Sequence, residues 1–289
     1  MEEEFHNHMR IPWHDYTRKS LGHPITEASL SEKASIIGRT GIMLLSCGTG
    51  AWRVRSSMNT LARELGITCT ADIGLLSIEY TCIAGGDCYT ESLCLFNTGV
   101  NTSKLYRMEL FVNKFATNCK KMSGDELHTL LDQIHEIHGF YSPPFLGLAA
   151  AVACCAFTFL LGGGPIEMFC AFLGAGAGNY LRAKMNQHHL TLFLCTAASV
   201  ALACVVYTIS FMALKSGFDV SIHHQAGYIC SMLFIIPGFP FITSGIDLAK
   251  LDMRSGLERL TYAIIIIAVA TLTAWMLALV LHLKPSTWS

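Results

Sequence analysis

The chain has 289 residues, 52% of them hydrophobic and 14% charged, with a mean hydropathy of +0.44. So apolar and weakly charged a composition points to an integral membrane protein. The formal net charge of −1 gives no electrostatic footprint for nucleic acid, and the 12 cysteines form no CxxC spacing, so neither a nucleic-acid partner nor a disulfide framework is expected.

In chain order, residues 1–28 are polar and irregular. Glu2, Glu3 and Glu4 are followed by His6, His8 and His14, and the stretch reads as a disordered tail. Residues 29–140 read as a cytoplasmic α+β domain. A first helix is predicted from Ser29 to Cys47, with Ser29 or Ser31 as its cap and Ile36, Ile37, Met43, Leu44 and Leu45 as its apolar stripe. Cys47-Gly-Thr-Gly50 breaks it, and a second helix runs from Trp52 to Leu65 and stops at Gly66. Leu75–Ile83 and Tyr89–Phe96 look like strands joined by the turn Ala84-Gly-Gly-Asp87. A helix is predicted over 103–117. The capping-box spacing Ser123-Gly-Asp-Glu126 opens another, which runs to about His138.

His128, His135 and His138 lie on that last helix, but no carboxylate or cysteine completes a ligand set, and they read as solvated or core histidines. No nucleophile elbow, P-loop or HExxH is present. No metal, no cofactor and no enzymatic activity are therefore expected.

At Pro143-Pro144 the composition turns apolar. Five runs follow, at about 143–161, 165–183, 190–214, 225–248 and 260–282, each with about the 20 residues that cross a hydrocarbon core. The expected fold is a polytopic α-helical membrane protein, a five-helix transmembrane domain at 143–283 behind the α+β domain. No run of membrane length precedes Pro143, so no cleavable signal peptide of the usual form is expected. The second run carries Glu167, to which no role is assigned, and Asn179, with Gly174, Gly176 and Gly178 as a small-residue packing face. With the N-terminal domain inside, inner loops hold Arg182, Lys184, Lys250, Arg254 and Arg259 and outer segments only Lys215 and Lys284. That bias predicts a cytoplasmic N-terminus and an external C-terminus.

The fourth run is interrupted near its middle by Pro237, Gly238 and Pro240. Proline removes a backbone N–H and clashes with the preceding turn. In a bilayer, the freed carbonyls need protein or water partners. Thr243, Ser244 and Asp247 follow the break, so Pro237, Gly238, Pro240, Thr243 and Asp247 are candidates for holding a polar solute or coupling ion. Asn179 is read equally as solute contact or as a hydrogen bond to a neighbouring helix. Arg182 satisfies the orientation rule or draws an anionic solute to the inner mouth. Asp247 pairs with Lys250 at the membrane edge, meets an ammonium, or carries a proton.

Phe234-Ile-Ile-Pro-Gly-Phe-Pro-Phe241, followed by Asp247-Leu-Ala-Lys-Leu-Asp-Met-Arg-Ser-Gly-Leu-Glu-Arg259, resembles the proline-glycine signature and the aspartate, glycine and arginine pattern of the threonine/serine exporter family. The domain order and the helix–Gly-x-Gly–helix start at 46–65 match too, so the resemblance covers about 29–283. It transfers Pro237, Gly238, Asp247, Gly256 and Arg259 as motif positions. It implies export of threonine and serine, or of succinate in the two-chain type. The chain is similar to the first half of that type, which implies a small polytopic partner subunit in the bacterial inner membrane. Five spans would put a fused second half in upside down, the arrangement of inverted-repeat transporters. The expected function is export of a small carboxylate metabolite through the lipid bilayer. The alternatives are a membrane-anchored ligand-sensing subunit and a tethered hydrolase, and the absence of nucleophile motifs argues against the latter.

Overall fold

The computed structural model describes residues 11–17, 22–137, 141–188, 190–215 and 225–281. It is mostly helical with one three-stranded sheet, and it divides into two units: 1–139 with 239–260, and 140–238 with 261–289. His138 and the expected tail histidines His6 and His8 lie outside the described residues.

The first unit opens its regular structure with α1, Leu30–Ser46, whose N-cap Ser29 accepts the Glu32 N–H. α2, Ala51–Glu64, starts after Gly50 and ends at Gly66, where φ is +70°. The sheet follows as β1 Thr68–Ile73, β2 Ser77–Ala84 and β3 Asp87–Cys94, antiparallel and in sequence order. Ala84 pairs with Asp87, so the β2–β3 loop is the two residues Gly85-Gly86, both at positive φ as such a turn requires. α3, Thr102–Lys114, runs into one π-helical turn at Phe115–Cys119. α4, Gly124–His135, carries both bonds of the Ser123/Glu126 capping box. Ile36, Leu44, Val54, Leu61, Ile78, Cys82, Met108, Phe115, Leu127 and Leu131 bury together as its core.

Part of the expected tail belongs to this unit. Trp13–Thr17 forms a 3-10 turn. His14 sets Nδ1 at 2.6 Å from Asp125 and Nε2 at 2.8 Å from Asp132, both on α4. Arg39 pairs with Asp132 and lies over the Trp13 ring, which stacks on His128. These ion pairs join residues 93 to 118 positions apart, so no local pattern announces them. His128 is fully buried against Ser35 and Arg39, and burial, with the Arg39 charge beside it, pushes its pKa down to about 3.

The second unit is helical. α5 is Pro143–Leu160, α6 Pro165–Gln187, α7 Leu192–Lys215 and α8 Gln225–Cys230. The glycine face foreseen on α6 is its packing surface. A Cβ at Gly178 would stand 2.7 Å from the Ser199 carbonyl of α7, one at Gly174 2.7 Å from the Ala203 carbonyl, and one at Gly147 of α5 2.9 Å from the Gly176 carbonyl. Small residues let these backbones touch, as association of helices in lipid requires. Phe145, Leu148, Phe159, Leu160, Trp275 and Met276 point outward, the reverse of a water-soluble helix bundle.

α9, Gly238–Ala249, and α10, Met253–Val280, complete the chain. Among the described residues, three helices are long and apolar enough to cross a membrane: α5, α7 and α10. The pair Ala226–Ile235 and Gly238–Ala249 makes a fourth if it is one broken span. α6 is the run that departs from the expected five. It folds as one helix of 23 residues, but its glycines with Glu167, Asn179, Arg182 and Lys184 make it too polar to be counted by composition.

Candidate functional site

In the second unit, the site centres on the interruption ahead of α9. The helix ends at Cys230, a 3-10 turn covers Leu233–Ile235, and Ile236 is extended at φ −61°, ψ 121°. Pro237 cannot donate to the turn before it. The Gly238 N–H turns back to the Ile236 carbonyl at 2.9 Å, and α9 begins there. Pro240 then falls in the first turn of α9, where a missing N–H costs nothing. The expected break is therefore present. One of the carbonyls it leaves behind has a charged partner: Arg182 Nη1 on α6 donates to the Phe234 carbonyl at 3.2 Å. The Arg182 guanidinium is partly buried, near Cys195 and Tyr262. Asn179 donates to the Leu146 carbonyl of α5 at 2.8 Å, so of its two readings the structure displays the helix-to-helix bond.

In the first unit, the polar residues of α9 face inward. Thr243 donates to the Phe239 and Pro240 carbonyls of its own helix at 3.0 and 3.2 Å. Ser244 donates to the Gly256 carbonyl on α10 at 2.7 Å, where Gly256 meets Leu248 and a Cβ would fall 2.7 Å from the leucine side chain. Asp247 is fully buried. Its Oδ2 accepts the Ala51 N–H at 3.1 Å and the Ser255 hydroxyl at 2.9 Å, and faces Arg259 Nε at 3.3 Å. Arg259, 2% exposed, donates to the carbonyls of Gly48 and Thr49 at 3.0 and 2.8 Å.

The logic of this cluster lies in the break at 47–50. Gly50 is the N-cap of α2 and has no side chain to cap it. Asp247 supplies the missing acceptor from 196 positions away, at the positive end of the helix dipole. A Cβ on Gly50 would stand 2.8 Å from Asp247 Oδ1, so glycine is what admits the carboxylate. The expected Asp247–Lys250 pair is not formed: the Lys250 ammonium lies 4.3 Å from the Trp52 ring centroid instead. Beside it, an open depression of about 590 Å³ is lined by Trp52, Arg55, Arg63, Lys250 and Asp252 among others. Its Arg55 is committed to Asp252 at 2.5 Å and to the Ala71 carbonyl at 3.1 Å.

The sequence pattern flagged the Gly-Thr-Gly break, Asp247 and Arg259 separately, and nothing in their spacing joins them. It missed Ser255, which bridges the carboxylate and the guanidinium. It assigned no role to Glu167, which is 6% exposed and whose Oε2 accepts the Gly164 N–H at 2.6 Å.

Compared with known proteins, residues 35–282 match the family model described as "Putative threonine/serine exporter". The "Probable succinate transporter subunit YjjP" of Escherichia coli (strain K12) is 26% identical over 244 residues, 81% of this chain and 91% of that protein. The protein of the same description from Klebsiella aerogenes is 25% identical over 244 residues, 81% of this chain and 90% of its own length. No solved structure matches the chain.

Proposed function

The chain belongs to the threonine/serine exporter family, and on that premise we propose that it is one subunit of a two-chain exporter. Its cargo is a small carboxylate, a dicarboxylate such as succinate ahead of threonine or serine, and its place is the bacterial inner membrane. The partner is a second, small polytopic subunit. The curated relatives, described as succinate transporter subunits, span a similar length and support both the cargo and the partnership.

The observation that carries the reading is the interrupted helix with Arg182 at its freed Phe234 carbonyl. A guanidinium has five N–H donors in a fork that matches a carboxylate. One of them anchors Arg182 to the break, and the group meets the solute carboxylate there. A membrane anchor for a sensor domain has no use for such a break.

In this reading α6 is the fifth span. Its 23 residues reach about 34 Å, enough for the hydrocarbon core. Its polar groups turn inward, Asn179 to Leu146 and Glu167 to Gly164. The N-terminus is cytoplasmic and the C-terminus external. Arg182, Lys184, Lys250, Arg254 and Arg259 then lie on the inner side and carry the orientation bias.

The test is efflux of labelled succinate from cells expressing this chain with its partner subunit. The chain alone exports nothing, and the pair exports. Arg182→Ala abolishes flux, and Pro237→Ala weakens it by letting the helix re-form. Robust transport by the purified single chain in liposomes overturns the two-chain reading. Unchanged efflux in both variants shows that the solute does not pass this break.

A further inference from the structure

β1 is an edge of the sheet, and its register with β2 sets Cys69 directly opposite Cys82. The Gly74 N–H bonds the Ser77 carbonyl at 2.8 Å, so Gly74 and Ser77 are a hydrogen-bonded pair. Antiparallel pairs alternate, and counting back from Gly74 makes Cys69 and Cys82 a non-hydrogen-bonded pair. At such a position the two Cα atoms stand about 4.5 Å apart and the side chains leave one face together. That spacing lies within the ~4.4–6.8 Å that a disulfide spans. Both side chains go to the core face, Cys69 7% and Cys82 0% exposed, and both thiols are free. The Cys82 thiol donates to the Cys69 sulfur, a bond that holds the Cys69 pKa below the ordinary thiol value against the opposing effect of burial.

The pair is not sealed in. An open depression of about 550 Å³ runs along the end of α2 and the start of β1, lined by Asn59, Ala62, Arg63, Gly66, Thr68 and Cys69 among others. Cys69 therefore stands at the wall of a space that admits a small molecule, and the fully buried Cys82 stands behind it. Packing accounts for a small apolar side chain at each position. It does not account for two thiols in disulfide register with one of them on a depression. The same sheet supplies the contrast: Cys88 and Cys94 on β3 are exposed, but they lie opposite Ile83 and Ser77 and face no thiol across the strand. A reachable thiol backed by a second one is the arrangement in which sulfur oxidation is reversible.

We propose that Cys69 and Cys82 form a reversible oxidation site, at which a small hydroperoxide oxidises Cys69 and Cys82 resolves the product into a cross-strand disulfide. In the first step the Cys69 thiolate attacks one peroxide oxygen. The S–O bond forms, the O–O bond breaks and hydroxide leaves, so the sulfur is oxidised to a sulfenic acid and the peroxide is reduced. In the second step Cys82 Sγ attacks Cys69 Sγ. The S–S bond forms, the S–O bond breaks, and the Cys82 proton leaves with the hydroxyl as water. Two thiols and one hydrogen peroxide thus give one disulfide and two waters, and a dithiol reductant reverses the change. Disulfides of a reducing compartment are of this transient kind, which fits the cytoplasmic side proposed for this unit. The site lies wholly within the first unit and goes beyond the exporter reading without resting on it.

The test uses the reduced full chain in detergent, with hydrogen peroxide as the probe. After treatment the remaining thiols are alkylated in denaturant and the chain is cut with a glutamyl endopeptidase. No Lys or Arg lies between Arg63 and Lys104, whereas Glu79 separates the two cysteines. Peptide 65–79 becomes linked to peptide 80–91, two alkylatable thiols disappear, and dithiothreitol restores both. Cys88 shares the second peptide, so Cys88→Ser is the control, and it forms the link as the native chain does. Cys82→Ala cannot resolve the sulfenic acid, and dimedone tags Cys69 in that variant. Cys69→Ala forms no link and leaves Cys82 reduced. The linkage in the native chain decides the matter even if neither alanine variant folds. Cys69 and Cys82 both alkylated after peroxide, whether or not Cys88 and Cys94 are oxidised, means that the pair is core packing only and overturns the proposal. So does a link that runs through Cys88, or a dimedone tag in Cys82→Ala confined to Cys88 or Cys94. The same measurement stands whether or not the chain exports succinate, so the two readings fail separately.

Discussion

Removing the carboxylate of Asp247 tests the strut that joins α9, α10 and the 47–50 break. Asp247→Ala leaves Arg259, 2% exposed, without its counter-charge, and leaves the Ala51 N–H and the Ser255 hydroxyl without their acceptor. Breaking a buried pair from one side costs about 3–5 kcal/mol. In a folding unit of this size each kcal/mol moves the midpoint by about 2–4 °C, so the loss is on the order of 10 °C. Asp247→Asn preserves acceptors for the N–H and the hydroxyl and forfeits only the charge, so it falls between. Arg259→Met strands the Gly48 and Thr49 carbonyls together with the buried carboxylate, and is at least as costly. Because the two residues share one network, the double variant falls short of the sum of the singles by about 0.5–3 kcal/mol. Thermal unfolding of the detergent-solubilised protein, followed by tryptophan emission, ranks the four variants against the native protein. An Asp247→Ala protein as stable as the native one, or strictly additive losses, refutes the argument.

Three further expectations follow from other parts of the chain. His14 is held by two carboxylates, and its bonds to Asp125 and then Asp132 raise its pKa above the ordinary 6.5, against a smaller opposing effect of burial. A raised pKa means that this anchor is at full strength below about 6.5 and is lost as pH rises through the folded value; hydrogen exchange over residues 11–17, corrected for intrinsic rate, accelerates with pH in the native protein and is pH-independent in His14→Gln. Gly178→Ala drives a Cβ to 2.7 Å from the Ser199 carbonyl and 2.8 Å from Ala203, an overpacking worth about 1–3 kcal/mol that lowers the unfolding midpoint. A reporter active only outside the cytoplasm is silent when fused after Lys184 and active after Ser289; the reverse pattern overturns the proposed orientation.

What was legible in the sequence was whatever a short stretch decides for itself. The Ser29 cap, the Ser123/Glu126 box, the Gly85-Gly86 hairpin turn and the Pro237 interruption all follow from backbone chemistry within a few residues. β1 was missed although Thr68-Cys-Thr-Ala-Asp-Ile73 alternates polar and apolar residues throughout and buries Cys69 and Ile73; the small Cys69 and Ala71 make its apolar face inconspicuous. Its outward Asp72 pairs with Arg254, another partner far along the chain. The placement of Trp13–Thr17 escaped for the same reason. α6 was read as an apolar run of membrane length, whereas its composition does not mark it as a span.

The polar face of α9 shows where sequence reasoning meets a true ambiguity. Thr243, Ser244 and Asp247 are buried, while Ile242 and Ile246 point outward, an apolar helix with its polar stripe turned in. From the sequence, such a stripe facing a solute and one facing another part of the same chain are identical. Counting donors and acceptors separates them. Thr243 spends its hydroxyl on its own helix, Ser244 on Gly256, and Asp247 spends Oδ2 on Ala51, Ser255 and Arg259; only Oδ1 has no partner among the described residues. A face so fully committed is a packing surface first. In the proposed exporter, recognition of the anion then falls to Arg182, whose fork has donors beyond the one given to Phe234. The two arginines are thereby distinguished in kind: Arg259→Met lowers the unfolding midpoint of its unit, whereas Arg182→Ala stops transport in a chain that is as stable as the native one.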